Sequence, residues 1–92
     1  MKILIIAEEP RLTELKTRLG TQHKIDAYEE EDYYEIDGFE GYNAIFDLNL
    51  ELHSDAIEEY SLLEETIIIT SGGTISLCIT TVMKSNKNNQ QE

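Results

Sequence analysis

Between Ile25 and Met83 the sequence contains neither lysine nor arginine. The cations stand at the two ends of the chain: Lys2, Arg11, Lys16, Arg18 and Lys24, then Lys84 and Lys87. The net charge is −12. Binding to nucleic acid or to an anionic membrane rests on neutralising phosphates with cations, so this distribution argues against both. A single cysteine, Cys78, excludes an intramolecular disulfide and suits a reducing cytoplasm. Flanked by apolar residues, it reads as a buried, inert thiol. The first apolar run, Ile3 to Ala7, is too short for a signal peptide or a membrane span, and no other segment comes closer. The expectation is a cytoplasmic protein. Neither His23 nor His53 has a partner at ligand spacing, and no base–nucleophile arrangement can be read from the sequence.

What is present is one small α/β domain. At 92 residues it buries only about 60–65% of the surface its unfolded chain exposes, so its stability margin is thin. Ile3-Leu4-Ile5-Ile6 is a continuous apolar run, the pattern of a strand buried on both faces of a parallel sheet. Pro10 suits a first helical turn, and Leu12, Leu15 and Leu19 recur at helical spacing. Glu14 and Arg18 make a favourable i,i+4 pair, and Gly20 stops the helix. His23 to Tyr28 reads as an edge-like second strand. Seven acids follow between Glu29 and Glu40, a solvated loop or short helix that Tyr33, Tyr34, Ile36 and Phe39 can pin to the body.

Asn43 to Leu50 is a third strand with Asp47 and Asn49 at its carboxyl end. Ser54 is placed to cap a helix with Asp55, Glu58 and Glu59 in its first turn and Ala56, Ile57, Tyr60 and Leu63 on its apolar face. Thr66 to Thr70 is a fourth strand. The β-branched run that follows Gly72-Gly73 reads as an antiparallel hairpin strand at about Ile75 to Val82. Residues 1–84 thus form a mostly parallel, Rossmann-like sheet of about four strands with two main helices, one face thinly covered. Residues 85–92 read as a disordered polar tail.

In an open parallel sheet, ligands sit outside the carboxyl ends of the strands. Those ends carry Ala7-Glu8-Glu9, Asp47-Leu48-Asn49 and Thr70-Ser71-Gly72-Gly73. The first junction has two carboxylates where a nucleotide-binding turn has glycines. A pyrophosphate about 5 Å from one of them would meet a repulsion on the order of 3 kcal/mol per charge pair. Glu9 reads as a helix cap in preference to a metal ligand.

Two resemblances start from these residues. YNAIFDLNLELHSDAIEEYSLLEETIIITSGGTISLCI, with MKILIIA as first strand, resembles the NAD-binding domain of the 3-hydroxyacyl-CoA dehydrogenases. The departures from that family are informative: AEEPRL replaces its glycine-rich turn, and Ile75 falls where it keeps a substrate-contacting serine, although Thr74 and Ser76 match. Its catalytic His–Glu pair and helical substrate domain belong to regions these residues do not include. The resemblance implies a degenerate, non-catalytic module with a structural or protein-interaction role and no bound cofactor; were it active, it would be a dehydrogenase-like oxidoreductase. MKILIIAEEPRLTEL and YNAIFDLNL are also similar to the receiver domains of response regulators. That similarity implies a phosphoacceptor at Asp47, a Mg²⁺ ligand set of Glu8 and Asp47, and a hydroxyl at Thr70, with Ala7 replacing the first acid of the family's pair. As for partners, the uncharged Ile75–Val82 strand, or the sheet face beside it, implies a homodimer.

Overall fold

The computed structural model describes residues 1–49, 56–70 and 74–90, with side chains of the last helix described to residue 85. Strand β1 (Lys2–Ile6) leads into helix α1 (Arg11–Leu19), then strand β2 (Lys24–Tyr28) and a 3-10 helix at Glu30–Glu35. Strand β3 (Ala44–Asp47), the short helix α2 (Ala56–Tyr60), strand β4 (Ile67–Ile69) and helix α3 (Ile75–Gln90) complete the order. The strands form one sheet in the order β2-β1-β3-β4, with every pairing parallel. The α/β class and the small parallel sheet are those expected from the sequence. Ser54 and Asp55, placed by sequence at the start of the second helix, lie outside the described residues.

Strand β1 is central because its residues can be buried on both sides: Ile3 through Ala7 are fully buried. Ile3, Ile5 and Ala7 point toward Leu12, Leu15 and Leu19 of α1 and toward Cys78 and Val82 of α3. Leu4 and Ile6 point the other way, toward Phe39, Ala56 and Tyr60. This alternation across a strand divides the core into two layers of side chains, one on each face of the sheet. Gly20 takes φ +78° just after α1, and its N–H donates to the Lys16 carbonyl at 3.2 Å, closing the helix in a conformation L side chains avoid.

The hairpin strand expected at Ile75–Val82 is not there. That segment is the first half of α3, and its backbone continues as helix to Gln90, through most of the segment read from sequence as a tail. Two periods compete in ISLCITTV. Alternation selects Ile75, Leu77 and Ile79, whereas helical spacing selects Ile75, Cys78, Ile79 and Val82. The second set is the one turned inward, with Cys78 and Val82 buried and Leu77 half-exposed. Thr74 caps the helix, its hydroxyl accepting the Leu77 N–H at 3.1 Å. The hydroxyl of Thr81 donates to the Leu77 carbonyl at 2.8 Å, so a β-branched residue sits in the helix with its polar atom satisfied. Packing against α1 and the sheet overrides a β-rich composition. The long helices α1 and α3 cover one side, while the five-residue α2 and the segment around Phe39 lie on the other.

Candidate functional site at the carboxyl ends of β1 and β3

From β1 the chain runs outward to β2 on one side, and from β3 to β4 on the other. The boundary between β1 and β3 is therefore the switch point of the sheet, where doubly wound folds bind ligands. Register puts Ile6 beside Asp47, and the Leu48 N–H donates to the Ile6 carbonyl at 2.9 Å. Ala7, Glu8, Asp47 and Asn49 are thereby drawn to one crevice.

Among the described residues, both of its acids accept hydrogen bonds from the protein itself. Asp47 is fully buried. Its Oδ1 accepts the Asn49 backbone N–H at 3.1 Å, and its Oδ2 accepts the Tyr60 hydroxyl at 2.5 Å. Glu8 is exposed, and its Oε1 accepts the Glu30 backbone N–H at 3.1 Å and the Asn49 side-chain amide at 3.4 Å. Asn49 thus bridges the two acids singled out by sequence. Among the described residues, no group of three or more His, Cys, Asp or Glu side chains is arranged to hold a metal ion. Glu8 and Asp47 as they stand do not fit a Mg²⁺ site: one is exposed, and the other is buried with both oxygens accepting hydrogen bonds.

Tyr60 was legible in the sequence only as part of an apolar helix face. It is buried, and its ring meets Phe39 edge-on at 4.9 Å between centroids. Burial, and then the hydrogen bond to Asp47, push its phenol far above the usual range, so the hydroxyl stays a donor. Of the aromatics expected to pin the acidic segment, Tyr33 and Phe39 do so, together with Ile36, while Tyr34 is 81% exposed.

Glu9 caps α1. Its Oε1 accepts the Thr13 N–H at 2.7 Å, and its other oxygen accepts the Thr13 hydroxyl. These bonds hold its carboxyl below the usual range. The positive end of the helix that an incoming phosphate would need is already used. Glu29 is shifted the opposite way, first by desolvation and then by Glu8, Glu31, Glu9 and Asp32 around it. Cys78 is fully buried, and burial pushes its thiol up to about 11. His23 is half-buried with its Nδ1 3.3 Å from the Met1 amino group, and burial lowers its pKa. His53 lies outside the described residues, as do Ser71, Gly72 and Gly73. Among the described residues, no helix is long and apolar enough to cross a membrane. Comparison with protein-family models, with curated proteins and with solved structures yields no match to this chain.

Proposed function

We propose that this chain is a non-catalytic Rossmann-like module, cytoplasmic, acting through protein interaction. The observation that carries this reading is the closure of its switch-point crevice by its own side chains. Asp47 is held by Tyr60, Glu8 is held by Asn49 and the Glu30 N–H, and Glu9 occupies the helix end. A dinucleotide would have to displace these contacts and sit against carboxylates without a glycine turn to receive it. The resemblance to the NAD-binding domain of 3-hydroxyacyl-CoA dehydrogenases enters this proposal as a source of scaffold, not of activity. Calorimetric titration with NAD and NADH tests it; the expected heat is that of dilution, and saturable binding of either overturns it.

A second reading is favoured by one specific observation. The order 2-1-3-4 is also that of flavodoxin-like sheets, with Asp47 ending β3 beside the residues that end β1. This is the arrangement implied by the receiver resemblance. Here a carboxylate oxygen of Asp47 would attack the phosphorus of a phosphoryl donor such as acetyl phosphate. The P–O bond to the acetate breaks, and acetate leaves with its electron pair. For that to happen the Tyr60 hydroxyl must first leave Asp47. Acetyl phosphate, supplied with Mg²⁺ in the buffer and followed by intact mass, separates the readings. Wild type and Tyr60→Phe both remain unmodified under the first reading. A phosphate added to either, and lost in Asp47→Asn, establishes the second.

A further inference from the structure

The outer edge of β4 is built for pairing. Its inner side is fixed by β3: the Ile67 N–H donates to the Asn43 carbonyl at 3.0 Å, and Ile67, Ile68 and Ile69 stand beside Ala44, Ile45 and Phe46. In a parallel ladder, alternate residues turn their backbone groups to opposite sides. Ile68 therefore directs its N–H and C=O away from β3. The stretch Thr66-Ile67-Ile68-Ile69-Thr70 carries no charge. The opposite edge differs, because β2 carries Lys24 and Asp26. Charges blunt an edge against association, and β4 has none. Beside it lies a shallow groove of about 390 Å³ lined by Ile57, Tyr60, Ser61, Ile68 and Thr70, with Ile57 53% exposed at its rim.

We propose that β4 pairs antiparallel with β4 of a second copy, about a two-fold axis through Ile68 and normal to the sheet, joining two four-stranded sheets into one. Charge selects this partner geometry. Glu64 and Glu65 immediately precede the strand, and a parallel pairing would stack these acids against their own copies. The antiparallel pairing sends them to opposite ends of the ribbon. Ile68 then faces its own copy and exchanges both backbone hydrogen bonds with it, while Thr66 faces Thr70. The axis also brings the two grooves to the same side of the joined sheet, where the Ile57 side chains are drawn out of water. The pairing is isologous, as a closed dimer requires. This inference replaces the Ile75–Val82 strand as the dimer edge. It rests on the interaction reading above and names its partner, while its test is independent of NAD and acetyl phosphate.

The experiment is sedimentation velocity on the full chain across a salt series. The dimer is expected to strengthen from low to high salt, as screening weakens repulsion between two chains of charge −12. Ile68→Lys sets two ammonium groups against each other at the axis and is expected to weaken dimerisation at least about tenfold. Because Ile68 also packs against the α2 side of the core, the decisive measurement is a mixture. Equimolar Ile68→Lys and Ile68→Glu should form a mixed dimer that neither forms alone. A wild-type monomer at every salt and at high concentration overturns the proposal, even if the monomer captures an extended peptide. A dimer indifferent to both substitutions overturns its placement on β4.

Discussion

Two tyrosines donate to two aspartates in this small domain, one pair toward each end of the sheet, and the two pairs are built differently. At the carboxyl end Tyr60 meets Asp47 at 2.5 Å with both residues buried. Toward the amino end Tyr42 meets Asp26 at 2.7 Å, partly buried. A cation attends the second pair: the Lys2 ammonium sits 4.8 Å from the centre of the Tyr42 ring, and the Lys2 N–H donates to the Asn43 side chain at 2.7 Å. Among the donors to Asp47 are a phenol and a peptide N–H. Both phenols are raised well above their usual range, in each case by burial first and by the hydrogen bond to the aspartate next. A buried carboxylate depends on every donor it has, because water cannot replace a lost one. A partly exposed carboxylate can turn to solvent. At the carboxyl end, where ligands bind in folds of this class, the Tyr60–Asp47 pair is therefore expected to stabilise the fold more than its counterpart.

The sharpest way to break the comparison is to delete each hydroxyl. Tyr60→Phe keeps the ring against Phe39 and removes only the bond to Asp47. The expected cost is about 2 kcal/mol, since a charged, buried acceptor loses a donor. For a domain of this size that is on the order of 10 °C in melting temperature. Tyr42→Phe should cost about 0.5–1 kcal/mol, because water can reach Asp26 in its place. Thermal and urea melts of the two variants side by side check both. Equal losses would show that burial does not separate the pairs.

The sequence made one half of this comparison easier to see than the other. Asp47 was legible as an acid ending an apolar strand, because strand ends follow from hydrophobic runs. Its burial was not, since that depends on where Tyr60 and Phe39 meet across the sheet. Glu9 was legible as a cap because a cap is local, four residues from the N–H it accepts once Pro10 opens the helix. The parallel sheet followed from MKILIIA, NAIFD and TIIIT being apolar throughout. Helix α3 was missed because ISLCITTV satisfies both periods, and only packing against α1 and that face of β1 and β3 decides between them. The edge of β4 escaped notice for the same reason: with a fifth strand expected after it, β4 was not an edge.

The smallest effect expected at the carboxyl end concerns two glutamates whose shifts oppose each other. Glu9 has a folded pKa below its ordinary 4.5, so the stability it contributes is present above 4.5 and is lost as pH falls through the folded value. Glu29 has a folded pKa above 4.5. Its contribution is fully present below 4.5 and is lost as pH rises through that raised value. Acidifying from neutrality should therefore first relieve Glu29 of its desolvated charge and of its crowding by Glu8, Glu31, Glu9 and Asp32, and only later undo the cap on α1. Melting temperature at low salt should rise slightly as pH falls through the raised value of Glu29 toward 4.5, and fall as pH drops further through the lowered value of Glu9. Glu29→Gln should stabilise the protein at pH 7 and flatten the rise, while Glu9→Gln should destabilise it at pH 7 and flatten the fall. Glu9 is exposed and Glu29 half-buried, so raising the salt should shrink only the part of the Glu29 effect that comes from neighbouring acids, while that of Glu9, whose shift comes first from hydrogen bonds to Thr13, should persist. A rise that survives in Glu29→Gln would assign the relief to the charge of the whole chain and not to this crevice.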